Sequence, residues 1–501
     1  MKKHLTFIGV MVCTFVFAQN SDDILRYSNE NLQGTARFQA MGGAFGALGG
    51  DLSALNINPA GLTVLNNSVF TISSTIYDNS VSATYFGTTR NASESDFNIN
   101  QAGGALVFKN PNSKSGWNKI AIAGNYDLVQ NFDSQVFIAG NSNQGIDNYF
   151  LNFADGIPFG SILIQDDEFI EDAYLDIGAQ QGFGTQQAFL GYYGGIIDPI
   201  EMEDSNTAYI NNAGYSTVTQ NLLRSTSGYN SKFTVNFASQ YKEKLNIGAS
   251  LNFHNVVYDR FDEFIETGYD ADSEIQRTTF DNLLRTRGSG FSFSLGAIAK
   301  LNDVVRIGGS YQSPTWYRLT DDLSQRINSD LADEDINFIN LDIVNLFPRY
   351  DLTTPSKFTG SLALVFGKNG LISVDYSYQD MSRAELGPSN DPNFNSVNNE
   401  VSNSFGSIST VRVGGEYRIE RFSLRGGYRY EQSPYARIDN IGDLNGISGG
   451  IGYDFGGSRL DFALSRTERD SSKKLFDTGL DTPAIINVIN TNATLSYTIN
   501  F

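Results

Sequence analysis

The chain has 501 residues, with 55 acidic against 35 basic side chains, a formal charge of −20, 49 glycines and a single cysteine. This acidity argues against nucleic acid as a partner, and the lone Cys13 leaves no disulfide framework and no cysteine metal site. After the first 20 residues no stretch offers the ~18 consecutive apolar residues of a membrane-spanning helix, whereas abundant aromatics and glycines suit strands, tight turns and interfacial girdles.

The amino terminus reads Met1-Lys2-Lys3-His4, an apolar run from Leu5 to Phe17, then Ala18-Gln19. This is the basic, apolar and small-residue layout of a secretory signal. The run is shorter than the ~20 residues of a membrane anchor, so it predicts a signal peptide over 1–18, cleaved near Ala18. Cys13 lacks the preceding small residue of a lipoprotein signal. Without Lys2 and Lys3 the formal charge becomes −22.

Residues 19–66 show no alternation and concentrate Gly42, Gly43, Gly46, Gly49 and Gly50, followed by Asp51 and then Asn58-Pro59-Ala60-Gly61-Leu62. A solvated tail has little reason to carry Phe38, Met41, Phe45 and Leu48. The segment is therefore read as a compact hatch, or plug, that fills a wide lumen.

From residue 67 onward apolar and polar residues alternate with period two. The strands are predicted at 67–88, 98–109, 117–138, 229–241, 245–259, 288–300, 304–317, 354–366, 370–382, 405–418, 421–434, 444–455, 458–469 and 486–501. Short links such as Gly456-Gly457 alternate with long polar ones, the longest over 139–228. Short turns at one end and long loops at the other describe an outer-membrane barrel. The expected fold is all-β, a monomeric transmembrane antiparallel barrel of about 14 strands with both termini at the short-turn, periplasmic end; splitting the long first and third strands widens the range to about 12–16. Arg306, Asp375, Arg412, Glu416, Arg425, Arg429 and Asp461 fall on the lumenal face, where opposite charges on neighbouring strands can pair. Two interruptions mark the third strand, Gly124-Asn125-Tyr126-Asp127 and Asn131-Phe132-Asp133, which read either as a bulge or kink or as a strand leaving the membrane early. The long loop mixes Phe150, Phe153, Phe159, Ile162, Phe169, Phe183 and Phe189 with Gly and Asp, the composition of a folded cap. In the last strand Leu495, Tyr497, Ile499 and Phe501 share one lipid-facing side, the pattern expected of a signal to the barrel-assembly machinery.

Enzymatic chemistry finds no support. Beyond the signal the only histidine is His254, placed on a polar face near the outer rim and too little for haem ligation. Asp270, Asp272 and Glu274 alternate like calcium-loop carboxylates without the glycine such a loop needs. No catalytic set, metal site or cofactor is expected.

The run Gly34-Thr-Ala-Arg-Phe-Gln-Ala-Met-Gly-Gly-Ala-Phe-Gly-Ala-Leu-Gly-Gly-Asp51, with Asn58-Pro59-Ala60-Gly61-Leu62 before the first strand, resembles the amino-terminal hatch of the FadL/TodX outer-membrane transporters. The Asn-Pro-Ala element is its most specific piece. The resemblance implies a plugged barrel in the Gram-negative outer membrane that takes up long-chain fatty acids or other hydrophobic small molecules by passive diffusion. It also implies an apolar ligand pocket, to which Phe38, Met41, Phe45 and Leu48 are candidates, and a lateral exit into membrane lipid at a kinked third strand, with Gly124, Asn125 and Tyr126 as the candidate kink. The long loop exceeds what the family leads one to expect. An alternative keeps the fold and makes the barrel a non-transporting, partner-binding component of a secretion system.

Overall fold

A computed structural model describes residues 21–110, 114–388, 391–437 and 440–501; the signal-peptide expectation for 1–18 lies outside the described residues. Fourteen antiparallel strands close into one barrel. They are β1 (Val69–Tyr85), β2 (Thr88–Lys109), β3 in two pieces (Trp117–Asn131, Ser134–Ser142), β4 (Val218–Tyr241), β5 (Leu245–Thr267) and β6 (Arg277–Lys300). There follow β7 in two pieces (Val305–Gln312, Trp316–Ser329), β8 in three (Asn345–Leu346, Tyr350–Thr353, Lys357–Phe366) and β9 in two (Gly370–Asp380, Glu385–Gly387). The last five are β10 (Ser407–Ile419), β11 (Phe422–Glu431), β12 (Leu444–Asp454), β13 (Ser458–Lys473) and β14 (Ala484–Asn500).

Closure falls between β1 and β14, from Val69 opposite Asn500 to Thr84 opposite Ile485. The period-two sequence decides which way each side chain faces. Inward, hydroxyls pair along the seam: Thr71 with Thr498 at 3.0 Å, Ser73 with Ser496 at 2.7 Å and Thr75 with Thr494 at 2.8 Å. Outward, Phe70, Ile72, Ile76, Leu495, Tyr497 and Ile499 are exposed. An apolar exterior over a hydrogen-bonded polar interior suits a wall set in lipid, because hydrocarbon satisfies no polar group. Among the described residues no helix is long and apolar enough to cross a membrane.

Several strands run further than their alternation suggests. β2 begins at Thr88, not 98, because a tight Phe86-Gly87 turn with positive φ at both residues joins it to β1. β4 begins at Val218, not 229, and it and its neighbours β5 and β6 have 24, 23 and 24 residues. About 9–11 residues cross a bilayer, so the upper halves stand clear of it, where neither face needs to be apolar and the alternation fades.

The long loop is a folded cap over the long-loop end, built from α3 (Asp147–Ala154), α4 (Ile170–Gln181), α5 (Phe183–Tyr193) and a hairpin pairing Ile197–Pro199 with Tyr209–Asn211. Phe150, Ile162, Tyr174, Phe189 and Leu190 are buried in one core with Tyr85, Phe264 and Phe280 from the strand ends, so the cap is bonded to the collar through apolar burial. The Glu266 carboxylate on β5 accepts the Ile146 N–H at 3.0 Å and the Gln220 amide at 2.7 Å, fixing the start of α3.

Candidate functional site

The chain before β1 lies inside the barrel. It runs from α1 (Ser21–Ser28) at the long-loop end, past Glu30 at mid-depth, through α2 (Ala36–Ala40) and two 3-10 turns (Leu52–Asn56, Pro59–Val64) to the foot of β1. Each turn is started by a side-chain cap: Thr35 accepts from the Phe38 N–H, Asp51 from Ser53 and Asn58 from Ala60. Asn58 does more. Its amide donates to the Gly46 carbonyl at 2.7 Å within the segment and to the Ala297 carbonyl of β6 at 3.1 Å, while Pro59 and Ala60 abut Gly248 of β5. Gly61 packs on Gly49, so that a Cβ on Gly49 would lie 2.7 Å from the Gly61 Cα.

Glycines of the wall form the socket for this segment, a role the sequence reading did not assign them. In the Gly-Gly pairs of β7, β10 and β11 the two members face opposite ways. A Cβ on Gly308 would meet the Gly46 carbonyl oxygen at 2.4 Å, on Gly414 the Met41 oxygen at 2.4 Å, and on Gly427 the Gly42 nitrogen at 2.2 Å. Their partners Gly309, Gly415 and Gly426 have nothing nearer than 3.8 Å. The signal was present: glycine inside a strand marks close approach of another backbone.

Charge completes the seating. Arg37 of α2 donates to Glu416 at 2.8 Å, Arg425 bridges Glu416 and Asp461 at 2.7 Å each, and Asp375 accepts the Gly46 N–H at 3.0 Å. The structure thus places Asp375, Glu416, Arg425 and Asp461 in the lumen; Glu416 and Arg425 pair across neighbouring strands, Arg425 reaches over β12 to Asp461, and Asp375 is bonded to the hatch backbone instead. Higher up, Lys357 of β8 bonds Glu30 at 2.6 Å. Burial raises the Glu30 carboxyl, but the Lys357 and Lys232 ammonium groups outweigh it and hold the acid well below the usual carboxylate range.

The four apolar candidates Phe38, Met41, Phe45 and Leu48 do not line an open pocket. All are buried in a packed cluster with Ala47, Ala54, Ala363 and Leu371, with Phe38 and Phe45 centroids 5.3 Å apart and the Arg37 guanidinium 5.2 Å from the Phe45 ring. Side chains so filled against each other leave no void for a ligand; only the Phe38 edge reaches a cavity.

Gly124, Asn125 and Tyr126 also need correcting as the kink, since they sit in regular register opposite Gly104, Gly103 and Ala102 on one side and Val235, Thr234 and Phe233 on the other. The irregularity comes just above. The β3 ladder to β4 skips Val129, between Leu128 and Gln130, and the β1 ladder to β2 skips Asn100, between Gln101 and Ile99. The β2–β3 ladder ends at this level, at Gln101 opposite Asp127, and β3 breaks at Phe132-Asp133, the second interruption seen in the sequence. Its outer piece pairs only with β4 and passes against the inner face of the β1–β2 hairpin, where Gly140 meets Tyr85. Two bulges therefore frame a parting in the wall. Asn100 turns inward there and donates to the Gly34 carbonyl at 2.6 Å.

Two small cavities lie beside the hatch, both touching Val129 of the bulge. One, about 20 Å³, lies among Tyr27, His254, Tyr317, Thr354, Lys357 and Gln379. The other, about 40 Å³, has an apolar side of Leu32, Phe38, Ile57, Leu128 and Val129 and a charged side where Lys232, Arg412 and Arg429 meet Asp127. Glu30 and Val129 line both. Their volumes hold a few waters and no acyl chain. Arg429 pairs with Glu431; among the described residues no ion pair engages Lys232 or Arg412, although both are buried. His254 belongs here, not at the rim. β5 continues to Thr267, which leaves it mid-strand, bonded to Ser292 and Tyr317 at 3.3 Å. Among the described residues no cluster of histidine, cysteine and carboxylate groups is arranged to hold a metal.

Residues 205–494 match the family described as outer membrane protein transport protein (OMPP1/FadL/TodX). The chain belongs to this family. FadL/TodX proteins are outer-membrane transport channels for hydrophobic compounds, not enzymes, and the 14-stranded barrel takes its place in the Gram-negative outer membrane among them. Among solved structures it is similar to a Pseudomonas aeruginosa FadL homologue, 12% identical with a TM-score of 0.56, over 94% of this chain and 99% of that one. It is also similar to the CymD monoaromatic hydrocarbon channel, 14% identical with a TM-score of 0.51, over 94% and 99%. At such identities the likeness is one of fold. No curated protein matches the chain.

Proposed function

We propose that this FadL/TodX-family barrel takes up long-chain fatty acids, or amphiphiles like them, by passive diffusion. The ligand enters beneath the cap, descends to the cavity at Lys232 and leaves sideways between β2 and β3 into the bilayer while the hatch below stays seated. One observation carries the reading. The cavity beside the parting gathers three cations, Lys232, Arg412 and Arg429, with two carboxylates, Glu30 and Asp127, opposite Phe38, Leu128 and Val129, an excess of positive charge that suits an anionic head with an apolar tail. The tail supplies the driving force by leaving water, and the head meets a cavity in which cations outnumber carboxylates. The exit opens where both strands carry a bulge. A bare aromatic hydrocarbon makes no use of the cations.

The test compares uptake of labelled oleate and labelled toluene in a deletion strain carrying wild type or Lys232→Met. Oleate uptake several-fold lower, with toluene uptake unchanged, is the expected outcome. Unchanged oleate uptake, in a variant inserted at the wild-type level, would sink the amphiphile reading.

The cap favours a second reading, that of a partner-binding component of a secretion system. No lysine or arginine occurs between Lys119 and Arg224, and the cap exposes Asp166, Asp167, Asp172, Asp176, Glu201, Glu203 and Asp204 beside Phe169, Ile200 and Met202. Such a face suits a basic partner surface. Stoichiometric capture of a partner from solubilised outer membranes, with no acyl chain in the barrel by native mass spectrometry, would favour it over transport.

A further inference from the structure

The upper half of β2 has a neighbour on one side only. Its ladder to β3 ends at Gln101, and the outer piece of β3 passes behind the hairpin. Among the described residues, β2 above that level pairs with β1 alone, from Thr88 opposite Tyr85 to Phe97 opposite Ile76. The residues flanking a two-residue turn, here Tyr85 and Thr88, form a hydrogen-bonded pair. Every second residue from Thr88 therefore bonds β1, and those between, Thr89, Asn91, Ser93, Ser95 and Phe97, turn their N–H and C=O groups away from it. All five are exposed. Such a row is a template for a further strand, which proteins commonly blunt with proline or lysine; the edge from Thr88 to Phe97 has neither.

Apart from Arg90 near the turn, the charges on this edge are Glu94 and Asp96. Asp96 stands opposite the buried Tyr77 and Glu94 opposite Asn79, so both carboxylates take the lumenal face. Burial raises the Glu94 carboxyl, and the Asp133 and Asp96 carboxylates beside it raise it further. Among the described residues, Glu94 Oε2 and Asn79 Oδ1 are buried without a hydrogen-bond partner, two adjacent acceptors that lack a donor, which is costly. We propose that the edge from Thr89 to Phe97 docks an extended segment of a partner protein at the cell surface, added as one more strand and carrying lysine or arginine at alternate positions. The carboxylates repel an acidic strand and favour one that brings cations, and the backbone groups of the edge supply the grip. A second copy is a poor occupant. Two copies in one membrane present β2 in the same direction, so the edges cannot pair antiparallel, and parallel pairing in register sets Glu94 against Glu94. The proposal stands apart from uptake and holds whether or not the barrel transports.

The test uses the full chain in neutral detergent and, as probe, a decapeptide alternating threonine and lysine, with a threonine–glutamate decapeptide as control. The lysine peptide is expected to slow amide exchange at Thr89, Asn91, Ser93, Ser95 and Phe97, and to change it little at Arg90, Ala92, Glu94 and Asp96, which already bond β1. Ser93→Pro removes one free N–H and no bond to β1, and is expected to weaken binding about tenfold while heat-modifiable gel mobility is kept. Glu94→Gln with Asp96→Asn, which leaves the edge backbone as it is, is expected to weaken binding several-fold. Absence of binding, equal binding of the two peptides, or binding that leaves exchange at the five edge positions unchanged would overturn the proposal. Slow exchange at those positions in a dimer formed without peptide would also overturn it, by assigning the edge to a second copy.

Discussion

At the scale of single residues, the decisive positions are glycines. Gly427 and Gly426 are chemically identical neighbours, yet one touches the hatch backbone and the other faces open space. A methyl group on Gly427 must push either the Met41-Gly42 turn of the hatch or the wall, and overpacking of this kind costs ~1–3 kcal/mol. Gly427→Ala is expected to lower the temperature at which the barrel loses its compact gel mobility, whereas Gly426→Ala leaves it unchanged; equal shifts would contradict the socket. Which member of each pair faces inward was legible in the sequence, because strand parity fixes it. What the inward member met was not, since that contact lies hundreds of residues away along the chain. The same distance explains Phe38, Met41, Phe45 and Leu48: their apolarity announced burial, but not that they would fill the lumen with one another.

At the scale of elements, the hatch is held by unlike means along its length. Below Gly34 it is locked by wall glycines, Asn58 and the Arg37–Glu416–Arg425 network. Above it the main tie is Glu30 to Lys357. With its acid held below the usual range, Glu30 adds stability that is present above the unfolded carboxylate pKa of ~4 and is lost as pH falls through the lower folded value. The protection of the amides over residues 28–33, relative to intrinsic exchange at each pH, is therefore expected to fall on acidification below about pH 4 in wild type. Glu30→Gln should show low protection that does not change with pH in that window; a wild type whose protection persists would show the tie to be immaterial. The third strand shows how sequence and structure can differ by a few residues. Gly124 to Tyr126 look irregular because Asn125 and Asp127 put polar groups where alternation is sought, yet both face the lumen in register. The actual bulge at Val129 hides in the apolar pair Leu128-Val129, whose two members point the same way only because the ladder skips one of them.

At the scale of the molecule, the barrel was legible because lipid outside and a polar lumen inside impose period two on every crossing. The cap and the upper collar were not, since beyond the bilayer that constraint ends and packing among distant aromatics takes over. Closed hydrogen bonding around the wall makes the parting between β2 and β3 the notable departure, and the account stands or falls on its use. Cysteines at Asn100 and Leu128, the positions that would pair next if the ladder continued, allow the wall to be stapled there in a protein whose only other cysteine lies at position 13. Labelled oleate uptake is measured in cells expressing Asn100→Cys with Leu128→Cys, the crosslink verified by mass. Uptake lost on oxidation and restored by reductant is the predicted result; uptake that proceeds at the same rate through the stapled wall would contradict lateral release.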